Sequence, residues 1–113
     1  MRRGEIWWIE LGEPVGSAPG FRRPCLIVSS NALNGSALRT VLTASITSNL
    51  KYAHIPSCLR LPMGETGLSK PSVAQLTILS TVDKRAITEQ LGKLPMSLWP
   101  QLDDKLRHVL GIL

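Results

Sequence analysis

Arg22 and Arg23 stand side by side at the end of a Gly/Pro-punctuated stretch, Ser17-Ala18-Pro19-Gly20-Phe21-Arg22-Arg23-Pro24, where the apolar run Pro24-Cys25-Leu26-Ile27-Val28 begins. Guanidinium groups delivered by a loop to the edge of a strand are suited to hold an anion. Their charge is permanent, their planar fork of donors matches phosphate oxygens, and the strand limits how far the fork wanders. An isolated Arg-Arg pair is commonly solvated surface, so the surrounding charge carries the weight. Residues 14–64 contain no Asp or Glu, whereas Arg22, Arg23, Arg39, Lys51 and Arg60 supply five positive charges. The other eight basic residues balance the eight acidic ones, so the net +5 lies in this one segment. Such a field favours polyanions, nucleic acid foremost, and also suits docking of an acidic protein.

The elements that must position these groups read as short strands. Residues 5–11 alternate with period two, Trp7, Ile9 and Leu11 on one face and Ile6, Trp8 and Glu10 on the other. Adjacent tryptophans on a strand point opposite ways, so at most one shares a platform with a ligand; the expectation for both is core or subunit interface. Residues 12–21, rich in Gly and Pro, form a long loop, and residues 24–29 a second, buried strand. Residues 31–36 read as a turn region. In a third strand over 39–47, Leu42, Ala44 and Ile46 share one face and Val41, Thr43, Ser45 and Thr47 the other, so the Thr47 hydroxyl emerges opposite the most apolar row. Residues 48–51 are a polar turn ending in the cation Lys51. A fourth strand over 55–61 carries Pro56, which argues for an edge or a bulge. The connection 62–71 closes on Lys70. A fifth strand spans 72–79, a turn 81–85, and a sixth strand 87–94. Ser97 is placed to cap a helix over 98–110, with Pro100 in its first turn and an apolar stripe of Leu98, Leu102, Leu106, Val109 and Leu110. Together these imply a mainly β chain, a small antiparallel barrel-like sheet with one C-terminal helix.

With 113 residues, 43% hydrophobic, the chain is expected to be one domain spanning 1–113, long enough to bury a core without metal or disulfide staples. No apolar run reaches the ~18 residues of a membrane span. Met1-Arg2-Arg3 is followed at once by Gly4 and Glu5 with no apolar stretch, so the expected location is cytoplasmic. Cys25 and Cys58 lack CxxC spacing and sit in apolar segments, where a thiol acts as a small buried hydrophobe. His54 stands alone near the start of a strand and reads as surface. No nucleotide fingerprint, metal motif or Ser/His/Asp set is present, and no metal or cofactor is expected.

In order along the chain, Arg3-Gly4-Glu5-Ile6-Trp7, Gly16-Ser17, Arg23-Pro24 before an apolar strand, Ile46-Thr47-Ser48, Gly67-Leu68, Ser72-Val73 and Thr81-Val82-Asp83-Lys84 resemble the MazF/PemK family of toxin endoribonucleases, or mRNA interferases. The resemblance implies a small SH3-like antiparallel β-barrel of the MazF/CcdB type with a C-terminal helix, working as a homodimer. It implies metal-independent cleavage of single-stranded RNA at short sequences, the 2′-hydroxyl attacking the adjacent phosphate to leave a 2′,3′-cyclic phosphate and a 5′-hydroxyl. A cognate MazE-like antitoxin with an acidic tail is the implied partner. Carried onto this sequence, the catalytic pair is Arg23 and Thr47. Arg23 would hold the phosphate and assist proton transfer, and Thr47 would donate to a non-bridging oxygen. Ser17, Arg22, Lys51 and Lys70 are expected along the RNA, with Ser72 and Thr77 near bases.

Two positions depart from the family pattern. Gly16-Ser17 is followed by Ala18 where relatives usually carry Glu, which removes a carboxylate from the expected site and could silence cleavage, whether by drift or by a deliberate change. Thr77-Ile78 stands where Gln or Glu is common, which loosens any inference about the RNA sequence read. Two other readings stay open: a CcdB-like gyrase poison acting by protein binding, and a relative that binds RNA or antitoxin without turnover.

Overall fold

A computed structural model of the protein describes residues 1–13, 15–17 and 21–113. Six strands, β1 (Glu5–Glu10), β2 (Arg22–Ile27), β3 (Thr40–Thr47), β4 (Cys58–Leu61), β5 (Ser72–Asp83) and β6 (Ile87–Lys93), form one antiparallel sheet in the order β4-β5-β3-β2-β1-β6. Two helices accompany it, a one-turn α1 (Asn31–Asn34) and the C-terminal α2 (Trp99–Leu110). Alternation sorts the strand residues onto two faces. Ile6, Leu26, Ala44, Ile46, Leu59 and Ala74 cover one face and pack with Leu94 and with Leu102 of α2. On the other face Ile9, Cys25 and Val82 make a smaller cluster, joined by Trp7 and Ile87.

The expected barrel is not formed. The sheet is open, with β4 at one edge and β6 at the other and no ladder between them. The reason lies in the connection 62–71, which fills the space where closure would occur. Lys93 N–H donates to the Glu65 carbonyl at 2.9 Å, one backbone hydrogen bond in place of a ladder. Gly67, at φ +71°, packs its backbone against Leu91, and a β-carbon on Gly92 would overlap the Glu65 carbonyl oxygen. Only glycine permits that approach. β4 is an edge strand, as Pro56 suggested, although it begins only at Cys58, after the proline.

Three local differences have physical causes. Residues 31–34 form a helical turn because the Ser30 hydroxyl accepts the Leu33 amide proton. β5 runs on to Asp83 through an irregularity: its register with β3 jumps from Ala44↔Leu79 to Ser45↔Gln75, so Leu76, Thr77 and Ile78 leave the ladder. Ser97 does not cap α2. It lies in a 3₁₀ turn, Met96–Leu98, that feeds directly into the helix, whose N-cap is Leu98. Pro100 occupies the first turn as expected, and the helix ends on Gly111 in the left-handed conformation. Leu102 is fully buried, whereas Leu110 is exposed and drops out of the stripe. Arg3 ties α2 to the sheet. Its Nη2 donates to Asp103 at 2.8 Å, its Nε donates to the Val28 carbonyl at 2.9 Å, and its guanidinium lies 5.0 Å from the Trp99 ring centre. Among the described residues no helix is long and apolar enough to cross a membrane.

Candidate RNA-cleavage site

β2 and β3 pair as Cys25↔Ser45, Leu26↔Ala44 and Ile27↔Thr43. Carrying that register two residues further sets Arg23 opposite Thr47, on one face of the sheet. The chain enters β2 in fixed register because Phe21, at φ +59°, closes the loop base: Leu11 N–H donates to the Phe21 carbonyl at 2.8 Å and Phe21 N–H to the Gly12 carbonyl. A left-handed phenylalanine is costly, and here it stands directly before the arginine pair.

Two cavities of about 480 and 540 Å³ adjoin at this place, and Arg23 and Thr47 line both. The pair therefore forms the ridge between them. Arg22, Lys70 and Ser72 line the first cavity, Ser17 and Thr77 the second. Lys51 lines neither; its ammonium lies 5.1 Å from the ring centre of Tyr52, which lines the second. Among the described residues, no Asp or Glu lines either cavity. Ala18 lies outside the described residues.

Hydrogen bonding distinguishes these groups. The Thr47 Oγ1 accepts the Asn49 amide proton at 3.2 Å, which orients the hydroxyl; its own hydrogen has no acceptor among the described residues and is available to a ligand oxygen. Arg23 makes no ion pair or side-chain hydrogen bond among the described residues. Arg22 is engaged. Its Nε lies 3.5 Å from Glu10 Oε1, its Nη2 3.4 Å from Glu89 Oε2, and its Cζ 4.3 Å from the Trp8 ring centre. Ser72 is buried and its Oγ donates to the Lys70 carbonyl at 2.9 Å, so it fixes the backbone under Lys70. Of the other segment charges, Arg39 sits away from the ridge in a recess with Asp83, Lys84 and Arg85.

Sequence reasoning missed Trp8 as a wall of the first cavity, and Asn49, Tyr52 and Gln75 as walls of the second. Alternation separated Trp8 from Trp7 but did not reveal which face opened onto a cleft. Trp7 packs in the smaller cluster as expected. Both thiols are buried, and desolvation pushes Cys25 up to about 12 and raises Cys58 above its ordinary value. Neither is poised as a nucleophile. Among the described residues no group of three or more His, Cys, Asp or Glu side chains could hold a metal ion.

The model of a family of PemK-like, MazF-like toxins of type II toxin–antitoxin systems matches residues 2–110. The chain is 42% identical over 112 residues to endoribonuclease MazF6 of Mycobacterium tuberculosis, covering 99% of this chain and 98% of that protein. Its structure is similar to that of MazF from Deinococcus radiodurans, with a TM-score of 0.79, 27% identity, and coverage of 99% and 97% of the two chains. It is also similar to an endoribonuclease from a mycobacterial species solved in complex with its cognate antitoxin, with a TM-score of 0.82, 21% identity, and coverage of 100% and 97%. A match over nearly the whole length in both sequence and shape makes this chain a member of the MazF/PemK family of toxin endoribonucleases of type II toxin–antitoxin systems.

Proposed function

We propose that the protein cleaves single-stranded RNA at short sequences, without a metal, by attack of a 2′-hydroxyl on the adjacent phosphate to give a 2′,3′-cyclic phosphate and a 5′-hydroxyl. The observation that carries this reading is the ridge of Arg23 and Thr47 between two carboxylate-free cavities. A strand laid across it has its phosphate on the ridge and a nucleotide on each side. Arg23 neutralises the charge that grows on the pentavalent phosphorus, and, with no ion pair or side-chain hydrogen bond among the described residues, its guanidinium is available for that task. Thr47, oriented by the Asn49 amide, donates to a non-bridging oxygen. Arginine exchanges protons only when strongly perturbed, so its part is electrostatic. Lys70 and Lys51 track the backbone, Ser17 and Thr77 contact the RNA from the second cavity, and Tyr52 offers a face for base stacking. Arg22 and Ser72 support from behind, one paired to carboxylates and the other holding the Lys70 carbonyl.

The working form in this reading is a cytoplasmic homodimer, restrained by an antitoxin whose acidic segment occupies the cationic cavities. The presence of an antitoxin in the similar mycobacterial complex supports that partner class. The test is cleavage of a long unstructured RNA in EDTA by the chain, by Ala18→Glu, and by Ala18→Glu with Arg23→Ala. Cyclic-phosphate ends that vanish with Arg23 are expected, and a gain on introducing Glu identifies Ala18 as a silencing residue. RNA left intact by all three overturns the reading in favour of protein binding.

A further inference from the structure

The ridge extends beyond the two cavities. Thr47 pairs with Val73 across β3 and β5, and Val73 with Arg60 across β5 and β4. Arg23, Thr47, Val73 and Arg60 thus form one row on one face, with the two arginines three strand spacings apart, about 14 Å. Arg60 is exposed within the edge strand, and its side chain makes no ion pair or hydrogen bond among the described residues. Cys58, two residues before it on the same face, lines the second cavity. Arg60 itself lines a third cavity of about 370 Å³, walled by Leu50, Pro62, Pro71 and Leu98. That cavity shares Ser72 with the first and likewise has no Asp or Glu among its described lining residues.

We propose that Arg60 holds a second backbone phosphate of the same RNA strand, the strand continuing from the Arg23–Thr47 ridge over the edge strand and laying that nucleotide against the apolar walls of the third cavity. This rests on the RNA reading above. Charge and register select a nucleic acid strand: a cation with no ion pair among the described residues stands in the same cross-strand row as the Arg23–Thr47 ridge, and the cavities that flank the row have no Asp or Glu among their described lining residues. A phosphate held there sets the direction in which the strand leaves the site. It adds affinity without touching the reacting atoms.

Binding as a function of salt tests this. Each phosphate contact on a single strand contributes about 0.7 to the slope of log K against log salt, equivalent to about fivefold in affinity at ~0.1 M salt. Anisotropy of an unstructured single-stranded RNA with 2′-O-methyl groups, which the 2′-hydroxyl attack cannot cleave, is measured with the full chain, Arg60→Ala, Arg60→Lys, Arg23→Ala and Arg39→Ala. Arg60→Ala is expected to lose that increment of slope and affinity, Arg60→Lys to keep the slope, and Arg39→Ala, set in its own recess, to match the unsubstituted chain. An unchanged slope in Arg60→Ala beside a loss in Arg23→Ala overturns the second phosphate site and leaves the RNA reading standing. Equal losses in Arg60→Ala and Arg39→Ala overturn it as a diffuse field effect. No RNA binding by the unsubstituted chain overturns both. Polyglutamate binding weakened by Arg60→Ala with RNA binding unaffected reassigns the surface to an acidic protein.

Discussion

Thr47 accepts the Asn49 amide proton on its Oγ1 at 3.2 Å while standing, by the β2–β3 register, across from Arg23. One bond from the turn thus aims the hydroxyl of the strand, and the cation opposite needs no partner of its own to be placed. Orientation comes from backbone pairing, which is difficult to disturb by surface change.

Removing either group should therefore cost turnover with little loss of fold. Arg23→Ala and Thr47→Ala are each expected to lower single-turnover cleavage by about 10²–10³-fold, the scale for losing one donor at developing charge. Thr47→Ser should recover most of the rate. Cleavage by the alanine variants at the unsubstituted rate would remove the pair from the chemistry.

Arg22 is ion-paired to Glu10 and Glu89. Exposed pairs of this kind are worth about 0.2–1 kcal/mol, so Glu10→Gln with Glu89→Gln should tighten RNA binding by up to about fivefold. Anisotropy at low salt reads this, and unchanged or weaker binding would show that the carboxylates do not restrain Arg22.

Gly67 and Gly92 lie against opposing backbone where connection 62–71 meets β6. Gly92→Ala is expected to destabilise by about 1–3 kcal/mol through overpacking against groups that cannot step aside. Leu102→Ala, which empties a fully buried position, should cost about 2–5 kcal/mol. Leu110→Ala on the exposed side of the same helix should cost far less, and urea midpoints compare the three.

Burial raises both thiols, Cys25 up to about 12. The folded state favours the neutral thiol. Stability from this source is complete below the ordinary thiol value of 9.0 and falls as pH climbs from there toward 12. At pH 7 iodoacetamide should label neither cysteine until the chain unfolds; rapid labelling of the native protein would contradict the burial.

Much of this was legible before any coordinates. Period-two alternation located β1, β2, β3 and β6 to within a few residues, because each has one face in a core. The acid-free segment pointed to Arg22 and Arg23, which line the first cavity, but equally to Arg39, which lies in a separate recess. What alternation cannot encode is pairing at long range. Closure of the sheet depends on whether β4 and β6 meet, and that is decided by connection 62–71 occupying the gap. The departure of Leu76–Ile78 from the ladder is equally silent in sequence, since strand-forming residues continue through it, and it brings Ile78, which plain alternation would set on the core face with Ala74 and Leu76, to the second cavity. The Ser97 cap failed because a 3₁₀ turn supplied backbone contacts where a hydroxyl was expected.

That excursion in β5 separates two kinds of change. Leu76 turns into the core and is fully buried, while Thr77 and Ile78 face the second cavity with no cross-strand partner to satisfy. Substitutions at these two positions can reshape what the cavity admits without touching the β2–β3 register that sets Arg23 across from Thr47. In the RNA reading proposed above, selectivity can drift while the Arg23–Thr47 pair stays fixed, through exposed Thr77 and half-buried Ile78.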